Sequence, residues 1–173
     1  MINDELIFGK NISRFSPDML EDLLEHAFIV KASDIHIQSN EPIKVDIHGR
    51  LRPITDRQLD INEVENFIKK IYGDNAITEV NKGQPIDKAI AVLNKLTNKK
   101  VRFRVNAVGI VAKGGVDGLQ ITIRTIESTP PKLSMMNLEP AIWDNFVPRQ
   151  GLIIVTGPTG SGKSTLLASC IRE

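Results

Sequence analysis

Two stretches of the chain carry apolar residues at helical spacing. The first follows a serine, a proline and an aspartate at residues 16–18, which are typical of a helix start, and it predicts a helix over roughly residues 17–30. The second follows Asp60, which with Glu63 has the spacing of a capping box, and its apolar stripe predicts a helix that ends near Gly73. Both predicted helices are amphipathic.

Other stretches alternate apolar and polar residues, which is the period of a half-buried strand. Two such strands flank residues 40–42 and predict a hairpin. Pairing of their apolar faces requires Ile35 opposite Val45. The same alternation over residues 101–106 and 119–126 predicts two more strands.

The remaining signals divide the chain into two domains and a linker. Residues 86–97 are ambiguous, and the glycine-rich stretch 113–118 is expected to be a hairpin loop because no helix signal follows it. Residues 1–126 are therefore predicted to form an α+β domain. Three prolines and the lack of a sustained period mark residues 127–140 as an interdomain linker. Residues 141–173 then begin a second domain.

Composition and charge exclude several classes of protein. Hydrophobic residues make up 41% of the 173 residues and the formal net charge is +1, so the chain is globular and has no overall field that recruits DNA, RNA or an anionic membrane. A single cysteine excludes a disulfide framework and a cysteine-based zinc site. The sequence shows no signal peptide and no apolar run near the ~18 residues of a membrane span, which favours a cytoplasmic protein.

One motif points directly to chemistry. Residues 157–165 satisfy the pattern G-x-x-x-x-G-K-[ST]. An apolar, β-branched run over 152–156 predicts a buried strand of a parallel sheet before it, and residues 164–172 predict a packed helix after it. The motif comprises Gly157, Pro158, Thr159, Gly160, Ser161, Gly162, Lys163, Ser164 and Thr165.

This strand–loop–helix order predicts a binding site for ATP and Mg²⁺. The glycines allow backbone N–H groups to surround the β-phosphate, and the helix N-terminus favours an anion. Lys163 is expected to reach the β- and γ-phosphates, and the Ser164 hydroxyl to ligate Mg²⁺. The alternative is a chance glycine-rich turn before a core helix.

Hydrolysis requires more than this loop. A Walker B acid and a water-positioning residue are also needed, and the sequence ends at Glu173 without supplying either. A parallel sheet cannot be built from one strand. We therefore expect the chain to be the N-terminal part of a longer protein, carrying one complete domain and the opening of an ATPase core, and to lack catalysis alone.

Three arginines are predicted to share one face of the sheet, namely Arg102, Arg104 and Arg124. They predict either a phosphate clamp, possible also across a subunit boundary, or a solvated basic face. A separate candidate is a divalent metal site on the polar face of the first hairpin, made of Asp34, His36, Asp46 and His48.

Several segments together resemble the type II/IV secretion ATPases, the family of PilT and GspE. The resemblance rests on residues 32–37, 102–106 and 123–126, and on 150–152 leading into the glycine-rich motif. Residues 129–134 and 167–173 look most like the DotB/TraJ branch, which serves type IVB secretion and conjugation.

The resemblance implies a PAS-like N-terminal domain followed by the start of an α/β RecA-like P-loop domain. It also implies a hexameric ring with nucleotide bound between the two domains. Arg104 and Arg124 match positions at which the family places arginines near the phosphates, so with Lys163 they become the expected catalytic residues.

The implied function is a hexameric cytoplasmic ATPase that powers a type IV (IVB-like) secretion, conjugative DNA-transfer or pilus system. It would lie peripherally at the bacterial inner membrane and dock on inner-membrane secretion components. No direct nucleic-acid binding and no transmembrane segment are expected. The alternative is a non-catalytic nucleotide-binding module that docks on a membrane secretion complex.

Overall fold

The described part of the chain falls into two compact units. The structure is a computed structural model, and its contacts separate Met1–Ile126 from Glu127–Glu173. It describes residues 7–8, 12–95, 98–126, 130–139, 142, 150–158 and 161–172. The boundary between the units falls at the start of the predicted linker.

The described residues of the first unit contain three α-helices, and the two predicted ones are confirmed. They are α1 (Leu20–Ile29), which follows a 3-10 turn at Pro17–Met19, α2 (Ile61–Tyr72) and α3 (Ala76–Asn81). The Asp60 side chain accepts a hydrogen bond from the Glu63 N–H, and the Glu63 side chain accepts one from the Asp60 N–H, so the capping box forms. Gly73 follows α2 with φ +115°, a conformation that favours glycine.

Six antiparallel strands in the described part of the chain form one sheet in the order β3-β2-β1-β6-β5-β4. They are β1 (Asp34–Gln38), β2 (Lys44–Ile47), β3 (Arg50–Pro53), β4 (Ile86–Asn94), β5 (Lys99–Ala112) and β6 (Val116–Ile126). Ile35 lies opposite Val45, as predicted. The ambiguous stretch contains β4, and a tight turn at residues 113–115 joins β5 to β6 as a hairpin.

The helices pack on one face of this sheet. Ile35 and Ile123 are opposite one another on β1 and β6 and fully buried, as is Val45 on β2. The helices contribute leucines, isoleucines, valines and a phenylalanine to the same core, whose largest buried side chains on α1 and α2 are Leu23, Leu24, Phe67 and Ile68. The intervening residues of each strand have side chains on the other face of the sheet, where Arg104 is exposed.

A buried ion pair holds the N-terminal segment against α2. The Glu63 carboxylate is 1% exposed and accepts hydrogen bonds from the Phe15 N–H at 2.7 Å and from two nitrogens of Arg57. Burial alone would raise the pKa of Glu63, but the bonds from Arg57, Phe15 and Asp60 outweigh it and lower the pKa below its usual value. Arg57 also donates to the Ile12 carbonyl at 3.1 Å.

In the second unit, the described residues contain a 3-10 turn at Leu133–Met135 and a helix, α4 (Lys163–Arg172). This confirms the helix predicted after the glycine-rich motif. Within the unit, an Arg172 guanidinium nitrogen donates to the Pro130 carbonyl. No helix in the described ranges is long and apolar enough to cross a membrane.

Candidate functional site

The glycine-rich motif adopts a loop that only glycine permits at two positions. Gly157 has φ +152° and Gly162 has φ +85°. A β-carbon on Gly157 would lie 2.9 Å from the Ser161 Oγ, so a side chain there would collide with the loop itself. The Ser161 N–H donates to the Pro158 carbonyl at 3.3 Å, which turns the chain towards α4. Thr159 and Gly160 lie outside the described residues.

Lys163 begins α4 and folds back over the loop. Its Nζ donates to the Gly157 carbonyl at 2.8 Å and to the Pro158 carbonyl at 2.6 Å. The ammonium group therefore lies against the first two residues of the motif, and its own residue begins a ten-residue helix. The first N–H groups of a helix have no partners within it, and together with the lysine they form an anion-binding arrangement.

The residues after Lys163 separate into exposed and packed side chains. Ser164 and Thr165 are exposed in the first turn of α4, and the Ser164 hydroxyl makes no hydrogen bond to another described residue. A hydroxyl next to the lysine is a suitable oxygen ligand for Mg²⁺, so the residues present fit that ion. Cys170 donates to the Leu166 carbonyl, and burial raises the pKa of its thiol, which favours the unreactive protonated form.

The segment before the motif differs from its prediction. Residues 152–156 were predicted to form a buried strand of a parallel sheet, but they pair with no strand among the described residues. Leu152 and Ile154 are 82% and 72% exposed. An apolar run becomes a buried strand only when neighbouring strands and covering helices remove it from water, and the described part of this unit contains neither on that run.

The predicted arginines are brought together in the first unit. Arg104 on β5 lies directly opposite Arg124 on β6, both on the exposed face of the sheet. Arg124 in turn lies opposite Asp34 on β1, so the three side chains form one row across the strands. Like charges directly opposite in a sheet are destabilising, and carboxylates on either side offset this cost.

Each arginine of the pair has its own carboxylate. Arg104 donates two hydrogen bonds to Asp87, at 3.0 and 2.5 Å, and Arg124 donates one to Asp34 at 2.7 Å. The Arg104 hydrogen bond lowers the pKa of the Asp87 carboxyl. Both guanidinium groups stay accessible, with 64% of Arg104 and 68% of Arg124 exposed. Because exposed ion pairs contribute little free energy, another anion can replace the carboxylate as the partner of each arginine.

Arg102 does not share this arrangement. It is exposed on β5 opposite Ile126, and no described carboxylate pairs with it. The alternative metal site of the first hairpin is also not assembled, because Asp34 pairs with Arg124 and Asp46 accepts a hydrogen bond from the Gly49 N–H at 2.7 Å. No group of three metal-ligating side chains is found in the described ranges.

Sequence reasoning missed the carboxylates that hold these arginines. Asp87 lies in the ambiguous stretch, and its pairing with Arg104 depends on the register of β4 against β5. Asp34 was considered only as a metal ligand. A usable signal was present for Asp34, which is an acidic residue on a predicted strand and has the opposite charge to the predicted basic face.

Comparisons with known proteins identify the family of this chain. The sequence matches the family described as type II/IV secretion system protein over residues 12–173. The type IV pilus retraction ATPase PilT of Pseudomonas aeruginosa is 32% identical over 152 residues, which are 88% of this chain and 41% of PilT. A twitching motility protein of Neisseria gonorrhoeae is 33% identical, and the match covers 74% of this chain and 32% of that protein.

Solved structures show the same relationship. The ATPase DotB of Legionella pneumophila matches with a TM-score of 0.88 and 44% identity, over 99% of this chain and 45% of DotB. The retraction motor PilT with bound ADP matches with a TM-score of 0.66 and 25% identity, over 88% of this chain and 42% of PilT. This chain therefore spans less than half the length of the relatives it matches, and the predicted family resemblance is confirmed: the chain belongs to the type II/IV secretion system protein family.

Proposed function

We propose that this chain is the nucleotide-binding N-terminal part of an ATPase that powers a type IV (IVB-like) secretion, conjugative DNA-transfer or pilus system. In this proposal residues 1–126 are a PAS-like domain, 127–140 a linker and 141–173 the beginning of a RecA-like domain. The cofactors are ATP and Mg²⁺. The full-length motor hydrolyses ATP and converts the energy into movement of its domains.

The geometry of the glycine-rich loop is the observation that supports nucleotide binding. The Lys163 ammonium group donates to two backbone carbonyls at the start of the loop, those of Gly157 and Pro158. The oxygens of a β- or γ-phosphate are stronger acceptors than these carbonyls because they are charged. Phosphate would therefore replace Gly157 and Pro158 as the partners of the lysine, while Ser164 at the start of α4 holds the metal ion.

Arg104 and Arg124 have the second role in the proposal. They sense or stabilise the γ-phosphate, because planar guanidinium groups bind phosphate through several donors at once. Two arginines directly opposite each other concentrate positive charge on one row of the sheet. Their exposure allows an anion to compete with Asp87 and Asp34 for them. In a ring, the phosphate that they contact can belong to a neighbouring subunit.

The names of the relatives support the ATPase activity in this proposal. DotB and PilT are described as ATPases, and PilT was solved with ADP. We propose that the longer protein is a hexameric ring in the cytoplasm, peripheral at the inner membrane, where it docks on secretion-complex components. The formal charge of +1 on the 173-residue chain supports a role without direct nucleic-acid binding. The 173-residue chain is proposed to bind nucleotide without hydrolysing it, because hydrolysis also requires a Walker B acid and a water-positioning residue.

The test is ATP turnover per chain, measured against protein concentration for the longer protein. Composite sites between subunits predict turnover that rises with concentration and is lost in Arg104→Ala. Lys100→Ala is the matched control, since Lys100 is an exposed cation on the same strand, and it should retain turnover. Absent turnover would instead favour a non-catalytic assembly module, and turnover that is independent of concentration or unchanged in Arg104→Ala would contradict a composite site that uses Arg104.

A further inference from the structure

The two carboxylates that pair with the arginines of the sheet are held differently. Asp87 lies on β4, which has one described neighbour in the sheet, and its side chain is 48% exposed. Asp34 lies on β1, which pairs with β2 on one side and β6 on the other, and its side chain is only 12% exposed. A carboxylate on a central strand has less freedom to move, and water and salt screen a partly buried charge less. The bond of Asp34 to Arg124 is therefore the more firmly placed of the two.

Bonds between β6 and the start of β1 fix the backbone around this pair. The Thr125 N–H donates to the Ser33 carbonyl at 3.1 Å, and the Thr125 hydroxyl donates to the Ala32 carbonyl at 3.3 Å. Ser33 precedes Asp34 and Thr125 follows Arg124, so these bonds lie directly beside the ion pair on both strands. The Asp34 carboxylate is therefore supported by a backbone whose position relative to Arg124 is defined.

The hydrogen bond to Asp34 occupies only one nitrogen of the Arg124 guanidinium. Asp34 accepts from the Nε of Arg124 at 2.7 Å, and the two terminal nitrogens of Arg124 donate to no described residue. Arg104 differs, because it uses both its Nε and a terminal nitrogen on the two oxygens of Asp87. The terminal nitrogens of an arginine are the donors that can bind a phosphate in a fork. A phosphate can therefore bind Arg124 while the bond to Asp34 remains.

The surroundings of the arginine pair are open to an anion. In the strand order β1 lies beyond β6 and β4 lies beyond β5, so the two carboxylates flank the pair and do not separate it. The next positions on this face along β5 and β6 carry no carboxylate; they are Asn106, Thr122, Arg102 and Ile126. No acidic side chain of these two strands therefore opposes an anion between the arginines.

We propose that Asp34 is a positioning residue for recognition of the γ-phosphate. It holds the Arg124 guanidinium by its Nε and leaves the terminal nitrogens of Arg124 to bind the phosphate. Orienting a long side chain before the ligand arrives reduces the conformational entropy that is lost on binding. Asp34 therefore favours ATP over ADP without touching either, because only ATP carries the γ-phosphate. This inference rests on the proposed role of Arg124.

Two other roles for Asp34 predict different results. If Asp34 only competed with phosphate for Arg124, its removal would strengthen ATP binding. If Asp34 only stabilised the contact between β1 and β6, its removal would lower the free energy of unfolding but leave the ratio of ATP to ADP affinity unchanged. The positioning role predicts a selective loss of ATP affinity that occurs only when Arg124 is present.

The test measures the Kd of a non-hydrolysable ATP analogue and of ADP, with Mg²⁺, by isothermal titration calorimetry on the longer protein. The variants are Asp34→Ala, Arg124→Ala and the double variant. Asp46→Ala is the matched control, because Asp46 lies directly opposite Asp34 on β2 and accepts from the Gly49 N–H instead of from an arginine. The ADP affinity shows whether each variant is folded. The double variant leaves no unpaired carboxylate, so it replaces Arg124→Ala in the comparison if that variant does not fold.

Asp34→Ala should lower the ratio of ATP to ADP affinity by about fivefold, with the ADP affinity unchanged, and Asp46→Ala should change the ratio by less than about twofold. Arg124→Ala should lower the ratio at least as much as Asp34→Ala, and the double variant no further than Arg124→Ala. If Arg124→Ala lowers the ratio but Asp34→Ala leaves it unchanged or raises it, only the positioning role is overturned. A double variant that loses the product of the two single effects would also overturn that role. An unchanged ratio in Arg124→Ala would overturn the proposed function of Arg124 and this inference together.

Discussion

Glu63→Gln tests the buried ion pair between Glu63 and Arg57 in the first unit. The Glu63 carboxylate accepts four hydrogen bonds, with Phe15 and one Arg57 nitrogen on one oxygen, and Asp60 and the other Arg57 nitrogen on the second. An amide keeps one acceptor oxygen and replaces the other with a donor. Two of the four contacts would then join two donors.

The expected loss follows from these two contacts. Hydrogen bonds to charged groups contribute about 1.5–3 kcal/mol each, and breaking a buried ion pair costs about 3–5 kcal/mol. The Arg57 side chain is 27% exposed and can turn partly towards water, which places the expected loss near the lower limit, at about 3 kcal/mol. For a unit of this size the thermal midpoint should fall by roughly 10 °C.

The assay is urea and thermal unfolding followed by circular dichroism. Glu65→Gln is the control on the same helix, since the Glu65 carboxylate reaches Lys69 only at 3.8 Å, and its loss should stay below about 0.5 kcal/mol. Because the pKa of Glu63 is lowered in the fold, its contribution is present above the unfolded pKa of about 4.3 and disappears as the pH falls through the folded pKa.

The gap in stability between the native chain and Glu63→Gln should therefore narrow below about pH 4. A free energy of unfolding for Glu63→Gln within about 0.5 kcal/mol of that of the native chain at pH 7 would refute the expected loss. A gap that stays constant down to pH 3 would show that the charge of Glu63 is not its source.

Three further predictions concern the sheet, the loop and the arginine row. Gly118→Ala should lower the free energy of unfolding by about 1–3 kcal/mol, because the added carbon would lie 2.7 Å from the Ala112 Cβ; urea unfolding measures this. Lys163→Ala should weaken binding of a fluorescent ATP analogue at least about tenfold, and equal affinity would exclude the proposed loop role. Asp87→Asn should strengthen that binding in the longer protein by removing the competitor for Arg104, and weaker binding would mean that Asp87 orients the arginine.

Local patterns were sufficient where the structure depends on neighbouring residues. Alternating apolar residues predicted β1 and β2 together with the pairing of Ile35 and Val45, since a one-residue shift would expose an apolar face. The capping box at Asp60 and Glu63 was likewise predicted from a three-residue spacing. Both features are set by turn length and by contacts within a few residues.

Long-range partners could not be predicted in this way. Glu63 is a capping residue in the sequence, but its burial depends on Phe15 and Arg57, which the fold brings to it. The placement of Arg104 opposite Arg124 depends on the length of the turn at residues 113–115, which periodicity does not define. Asp34 reaches Arg124 across 90 residues of sequence.

Two segments show the limit of hydrophobic pattern as a signal. β4 was ambiguous because an edge strand is exposed along much of its length, so Ala89 and Lys88 need not alternate with large apolar residues. Residues 152–156 show the opposite error, because a strand was predicted where the structure has none. A strongly apolar run predicts a buried strand even when no partner strand pairs with it.

The strand order also has a consequence for how the first unit folds. β1–β2–β3 and β4–β5–β6 are two meanders of sequential antiparallel strands, and within the sheet they meet only where β1 pairs with β6. Residues at this seam, such as Ser39 and Leu119, are separated by 80 positions along the chain. Each meander can form from near neighbours, whereas joining them requires closure of a long loop, which is slow. Two separately expressed halves, divided in the exposed turn that contains Asp74, should therefore reassemble through this seam at a rate that depends on their concentrations.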